Sequence, residues 1–305
     1  MLKPSRLKAG DKVAVVSTSS GMLGEDFALH KLAIARKRLE RDYGLEVVVM
    51  PHALKGSEYL YKYPEARASD LMEAFQNTAI KGIINAIGGE DAVRLLPYVD
   101  FDIIRNNPKI FTGFSDTTSV HLMLYKAGLV SYYGGSLMNN FAEYIEINPY
   151  TKHAIEKTLF YPEESFEILK APFFYDEEDE KIGWKPENQG IKKAYHQDIS
   201  SYEVLQGGGV VRGELFGGCI EVFVSLFGTE LWPKREAFKG KILFLETSED
   251  NPSATDLKMV LRNFLVQGIF SEINSMIFAK PAYRSREEEY KQVLKDVIGV
   301  EARRP

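Results

Sequence analysis

Ser115 is the residue with the strongest chemical setting in this sequence. It lies in Gly113-Phe-Ser-Asp-Thr117, between an apolar, β-branched run at Lys109–Phe114 and a segment of helical period from Thr117 to Lys126. A serine at a strand-to-helix turn has its hydroxyl exposed, and the helix N-terminus aims backbone N–H groups at developing negative charge. That arrangement suits nucleophilic acyl transfer. Thr117 stands where the G-x-S-x-G pattern has its last glycine, so the motif reads equally as Ser115 or Asp116 capping the helix. Gly88-Gly89 follows the run Gly82–Ile87. A bare amide there can serve a tetrahedral oxyanion; the pair can also be an ordinary glycine turn.

A serine nucleophile needs a base and something to orient it. Glu246 ends the apolar run Lys241-Ile-Leu-Phe-Leu-Glu246, where a carboxylate is costly unless paired or solvated. It is read as the orienting acid or as a salt-bridged strand end. The histidines are His30, His52, His121, His153 and His196, and none follows Glu246. His121 lies six residues past Ser115 on one predicted helix, which turns the two side chains to different faces; it is expected to be a helix-packing residue. His196 falls in an aromatic segment that leaves its position open. Trp184, in Gly183-Trp-Lys-Pro186 with tyrosines nearby, is either a stacking wall for a planar substrate group or a loop aromatic packed on the surface.

The elements that must position these groups alternate. Strands are predicted at Lys12–Ser17, Glu46–Met50, Gly82–Ile87, Lys109–Phe114 and Leu129–Tyr133. Helices are predicted at Leu29–Tyr43 (closed by Gly44), Pro64–Asn77, Ala92–Tyr98 and Thr117–Lys126. This is an α/β pattern, a parallel Rossmann-like sheet wrapped by helices. A connecting helix, Asn148–Tyr161, leads into an acidic and aromatic insertion whose run Tyr175–Lys181 reads as a solvated loop. The second half opens at Gly207, with a helix at Gly218–Phe227, a strand at Lys241–Glu246, a serine-capped helix at Ser253–Gln267, a strand at Asn274–Ala279 and a helix at Arg286–Val297. Domains are therefore expected at 1–147, 148–206 and 207–305, the last a smaller α/β domain lacking its final strand.

Bulk properties exclude several classes. With a net charge of -5 and no Lys/Arg-rich run, the chain has no field to hold nucleic acid. Lys8, Asp11 and Lys12 interrupt any signal-peptide core, and no apolar run reaches the ~18 residues of a membrane span, so a soluble cytoplasmic protein is expected. Cys219 is the only cysteine, which excludes an intrachain disulfide and a multi-cysteine zinc site. Neither G-x-G-x-x-G nor G-x-x-x-x-G-K-[ST] follows a strand. No cofactor or metal is called for.

Five segments in order resemble the LD-carboxypeptidase family of serine peptidases, which includes murein tetrapeptide carboxypeptidases and microcin C immunity proteins. They are Leu2–Ser17, Ile87-Gly-Gly-Glu-Asp91 with Arg94-Leu-Leu96, Gly113-Phe-Ser-Asp-Thr-Thr118, Gly213-Glu-Leu-Phe-Gly-Gly218 and Phe244-Leu-Glu-Thr-Ser248. The resemblance implies a metal-free Ser-Glu-His triad, with Ser115 as nucleophile and Glu246 as acid, oxyanion donors at the amides of Gly89 and Asp116, and a homodimer. The long segment around Trp184 resembles the microcin-immunity branch, in which an aromatic loop helps hold the nucleotide of an aminoacyl-adenylate analogue. Cys219 stands where the family more often has asparagine. The family's histidine lies on a Gly-His segment after the last helix, which these residues do not contain; Val300–Pro305 reads as its lead-in, and a truncated chain is expected. The partner is then a small peptide or aminoacyl-nucleotide substrate, cleaved at an amide bond. The other reading is a catalytically silent binding protein on the same scaffold that sequesters such a ligand.

Overall fold

The computed structural model describes residues 1–200 and 202–303. The chain divides into two compact units, Met1–Ile199 and Ser200–Pro305.

In the first unit five strands, β1 (Lys12–Val16), β2 (Glu46–Val49), β3 (Ile80–Asn85), β4 (Ile110–Gly113) and β5 (Tyr132–Tyr133), form one parallel sheet in the order β2-β1-β3-β4-β5. Val13 to Val16 of β1 are fully buried, as a strand with neighbours on both sides and helices on both faces must be. Helices α1 (Leu29–Tyr43), α2 (Ser57–Lys62), α3 (Pro64–Gln76), α4 (Phe101–Asn106), α5 (Thr118–Ala127) and α6 (Pro149–Ile155) accompany the sheet. Leu32, Ala35 and Leu39 of α1 join Val13, Val15, Phe141 and Leu159 in one buried apolar cluster, each fully buried leucine contributing about 2 kcal/mol. Gly44 ends α1 in the left-handed conformation expected of a glycine cap.

From the sheet order follows the position of the site. After β1 the chain moves outward to β2, whereas β3, β4 and β5 extend the other way. The strand order thus reverses between β1 and β3, and in open parallel sheets ligand sites gather at the carboxyl ends of the strands beside such a switch point. The strand expected at Gly82–Ile87 ends instead at Asn85. The Asn85 side chain takes over from the ladder: Oδ1 accepts from the Thr18 amide (3.1 Å) and hydroxyl (2.8 Å), and Nδ2 donates to the Ile87 carbonyl (2.6 Å).

The acidic run expected to be a solvated loop is in part a helix, α7 (Glu177–Ile182). Asp176 and Asp179 form a reciprocal capping box, and Lys181 pairs with Glu177 and Glu178 on the following turn. A two-stranded antiparallel ribbon, β6 (Phe173–Phe174) with β7 (His196–Gln197), flanks it.

The second unit holds a parallel sheet in the order β10-β9-β8, from β8 (Leu215–Cys219), β9 (Ile242–Glu246) and β10 (Ser275–Phe278). Its helices are α8 (Ile220–Leu226), α9 (Ala254–Val266), α10 (Ile269–Glu272) and α11 (Glu287–Leu294). Ser253 caps α9 in a box with Asp256. Strand β8 replaces what the sequence reads as the start of a helix at Gly218. Gly217 packs so closely on the Phe244 carbonyl that any Cβ would overlap it, so here glycine permits strand pairing rather than marking a loop. Among the described residues no helix is long and apolar enough to cross a membrane.

Candidate active site

Ser115 follows β4 and opens a short 3-10 turn, Ser115–Thr117, that runs into α5. Its φ is +61°, a left-handed value costing a residue with a Cβ roughly 1–2 kcal/mol. Strain of this kind at a strand-to-helix turn is how a nucleophile elbow lifts a serine clear of the sheet. The turn is held by contacts that leave Oγ out. The Ser115 amide donates to Tyr133 Oη (2.9 Å), its carbonyl accepts from Thr118 Oγ1 (2.7 Å), and Thr117 Oγ1 donates to the Phe114 carbonyl (2.7 Å).

Gly88 abuts this turn. A Cβ at residue 88 would lie 2.9 Å from both Cβ and Oγ of Ser115, and 3.6 Å from the Asp116 amide nitrogen. Only glycine admits that approach, so the loop after β3 and the nucleophile turn after β4 meet backbone to side chain. Gly89 is packed as tightly against Ser19 and Ser20 of the loop after β1. Ser115, Gly88, Gly89 and Asp116 are thus brought together, with Ser19 as a neighbour that sequence reasoning passed over.

The Asp116 carboxyl is buried and points away from solvent. Its Oδ2 accepts from Ser19 Oγ and from the Ala92 amide (2.7 Å). Burial pushes its pKa above the ordinary carboxyl value, against the lowering effect of those donors. Fully buried Arg67 donates to the Ser19 carbonyl (2.9 Å) and to Asp91 (2.6 and 3.2 Å), and Arg94 pairs with the same Asp91 (2.7 Å). Arg67 sits on the inner face of α3, where its two terminal nitrogens are paired and its Nε is buried without a partner; the sequence signal was an arginine among alanines, Ala66 and Ala68.

His121 is fully enclosed on α5. Nε2 meets the Gly113 carbonyl at 2.9 Å and Nδ1 meets Ser131 Oγ at 2.7 Å. A carbonyl only accepts, so Nε2 carries the proton and Nδ1 accepts from the serine. Burial lowers its pKa to about 4. A histidine neutral when folded and charged when unfolded removes stability as pH falls from about 6.5 to about 4, with no further change below. Up to roughly 3 kcal/mol is therefore expected to disappear across that window. Urea unfolding of the parent and of His121→Gln at pH 7 and pH 4.5 checks it; equal pH dependence in both would show that His121 titrates normally.

Three of the remaining histidines are also engaged. His52 Nδ1 lies 2.7 Å from Asp70, His30 Nε2 lies 2.6 Å from Tyr144 Oη, and His196 Nε2 lies 2.6 Å from Asp179. His153 is exposed on α6. Trp184 is half-buried: it packs on the same apolar cluster as α1, and Lys31 Nζ sits 5.1 Å from its ring centroid. Lys31 itself is buried, which lowers its pKa to about 8.

In the second unit Glu246 closes β9 half-buried, in register with Cys219 of β8. Burial, then the carboxylates of Glu221 and Glu246, push the Cys219 thiol well above its usual range, so it is an inert neutral group. Glu221 accepts from Cys219 Sγ (3.4 Å) and from the amide and hydroxyl of Ser248 (2.8 Å each), tying together the ends of β8 and β9.

Residues 13–134 match the LD-carboxypeptidase N-terminal domain and residues 212–304 the LD-carboxypeptidase C-terminal domain. The chain belongs to the LD-carboxypeptidase family. This family member is 31% identical over 217 residues to the microcin C7 self-immunity protein MccF of Escherichia coli, a match covering 70% of this chain and 60% of MccF. It is 29% identical over 310 residues to the probable murein peptide carboxypeptidase of Bacillus subtilis, covering 99% and 83%. The crystal structure of an MccF-like protein from Streptococcus pneumoniae in complex with AMP superposes with a TM-score of 0.87 at 35% identity, covering 94% of this chain and 87% of that one. The parallel sheet and smaller second unit are the MccF-like fold.

Proposed function

We propose that this LD-carboxypeptidase relative is a serine hydrolase that cleaves an amide bond, in a microcin C-like aminoacyl nucleotide or at the L,D bond of a murein tetrapeptide. The observation that carries this reading is the strained turn at Ser115, with φ +61° and Gly88 against its hydroxyl. Ser115 Oγ attacks the carbonyl carbon and passes its proton to an imidazole oriented by Glu246. The amides of Gly89 and Asp116 hold the oxyanion, and collapse expels the amine, which takes the proton. Water repeats the sequence on the acyl-enzyme and restores the serine. None of the five histidines in these residues follows Glu246, where the family resemblance puts the triad imidazole. A fluorophosphonate probe tests the nucleophile: labelling at Ser115 in a chain supplied with the histidine supports it, and no labelling favours the silent binding protein. The engagement of His30, His52, His121 and His196 elsewhere gives that second reading its support. The family also leads us to a homodimer, acting in the cytoplasm.

Within this reading Trp184 sets substrate preference. Its ring stands against Lys31 and the core, leaving part of its surface exposed for a base, and the AMP complex of the streptococcal relative favours a nucleotide. Base stacking contributes roughly 1–3 kcal/mol, so Trp184→Ala is expected to lower kcat/KM for an aspartyl sulfamoyl-adenylate about tenfold or more while sparing a D-alanine-terminated tetrapeptide. Equal losses on both substrates would make the tryptophan a purely packing residue.

A further inference from the structure

The three loops around Ser115 are closed into a ring by side chains that take no part in the chemistry proposed above. From the nucleophile turn, Asp116 Oδ2 accepts from Ser19 Oγ. The Ser19 carbonyl accepts from Arg67 Nη1 at 2.9 Å, and Arg67 grips Asp91 through both terminal nitrogens at 2.6 and 3.2 Å. The next residue, Ala92, donates its amide back to Asp116 Oδ2 at 2.7 Å. A second bridge, from the Ser20 amide to the Gly88 carbonyl at 3.1 Å, spans the middle. Gly88 and Gly89 lie inside this ring, pressed against Ser115 on one side and Ser19 on the other. Glycines have no side chain to anchor them and the widest choice of backbone angles, so what fixes the direction of the Gly89 amide is the ring.

We propose that Ser19, Arg67, Asp91 and the Asp116 carboxyl are positioning residues that hold the Gly88-Gly89 backbone in register with Ser115, with the Ser19–Asp116 hydrogen bond as the joint between the two loops. The proposal rests on Ser115 being the nucleophile and deepens that reading. Two features favour positioning over stability alone. The ring joins the loops after β1, β3 and β4, not the sheet beneath them, and Arg67 spends a buried charge on a loop carbonyl and a loop carboxylate instead of on the helix that carries it. Preorganised oxyanion donors lose their effect when displaced by fractions of an ångström, and misplacement of about 1 Å can cost ~100-fold.

The test is the rate of Ser115 phosphonylation by a fluorophosphonate in a histidine-complete chain, separated into kinact and KI. Ser19→Ala removes one hydroxyl and leaves the backbone able to fold. It is expected to lower kinact roughly tenfold to 100-fold with KI within about twofold, because the tetrahedral adduct and not the encounter uses the oxyanion donors. Asp91→Asn keeps the side-chain shape while weakening the Arg67 pair, and is expected to give a smaller loss of the same pattern at a thermal midpoint close to the parent's. A kinact within twofold of the parent in both variants, or a loss confined to KI, overturns the ring's role. Ser115→Ala, run beside them, isolates the underlying reading: if that variant still labels, the nucleophile assignment fails, whereas if it is silent and Ser19→Ala labels like the parent, only the positioning proposal fails.

Discussion

Ser115→Ala is expected to abolish hydrolysis in a histidine-complete chain, lowering kcat by about 10⁴-fold or more while the protein folds as before. The chemical half of the expectation follows from the absence of any substitute. Among the described residues the hydroxyls nearest the turn are committed, Thr117 Oγ1 to the Phe114 carbonyl and Thr118 Oγ1 to the Ser115 carbonyl. The structural half follows from what the side chain does not do. The amide and carbonyl of residue 115 carry the hydrogen bonds that hold the turn, and alanine keeps both. Ser115→Gly sharpens the comparison. At φ +61° glycine escapes the penalty a Cβ incurs, so the glycine variant should be at least as stable as the alanine variant, by about 1 kcal/mol, and equally inactive. Urea unfolding together with kcat on either substrate checks both halves. Activity within tenfold of the parent in Ser115→Ala would remove serine from the chemistry, and a glycine variant clearly less stable than the alanine one would mean that the turn is not strained.

The same residue shows why parts of this protein were legible in its sequence. Strands β1, β2, β4 and β9 and helices α1, α3, α5 and α9 carry periodic apolar patterns with glycine, serine or proline boundary signals, and each forms close to where those signals put it. Ser115 and Gly88-Gly89 were readable because they fall where such patterns stop. What the sequence misplaced has a common cause. At β8 the sequence reads Gly218 as the start of a helix, whereas the strand runs to Cys219, and Gly217 is explained only by the Phe244 carbonyl across the strand. At β3 the strand gives way two residues early because the Asn85 side chain competes for the loop after β1, a contact 67 positions away in sequence. At Asp176–Asp179 the reciprocal cap was present in the sequence, but the density of like charge concealed it.

The site divides along the same line. The side chains proposed to touch substrate were read from local motifs. Arg67, Ser19, Asn85 and Tyr133, which hold those motifs in place, belong to no motif of their own. Each acts through a partner at least eighteen residues away, and a single sequence carries no sign of that pairing beyond a charged or polar residue on a buried face. A buried arginine costs several kcal/mol unless its hydrogen bonds are met; that cost makes its partners worth finding, and only the fold identifies them.

The 305-residue chain is expected to turn over neither substrate measurably, and a chain carrying an additional C-terminal segment with a Gly-His pair is expected to recover activity by several orders of magnitude. The argument runs through each imidazole present. His121 has both nitrogens committed, and at pH 7 burial keeps it neutral with its proton on the nitrogen facing the Gly113 carbonyl. To act as a base it would have to break both hydrogen bonds and leave a fully enclosed cavity. His52 is paired with Asp70 and follows β2, the edge strand. From there to β4 is three strand spacings, roughly 14 Å, far beyond the ~3 Å a proton transfer requires. His196, in strand β7 of the ribbon, is held by Asp179 and Asp176, and His30 by Tyr144. His153 is exposed on α6, away from the strand ends that carry Ser115. Steady-state turnover of the 305-residue chain and of the histidine-complete chain, each with His121→Ala and His196→Ala, decides the matter. Full activity in the 305-residue chain that disappears in either histidine variant would relocate the base within these residues. Recovery only on addition of the segment, unaffected by either substitution, would leave Ser115 and Glu246 waiting on an imidazole that the 305 residues do not supply.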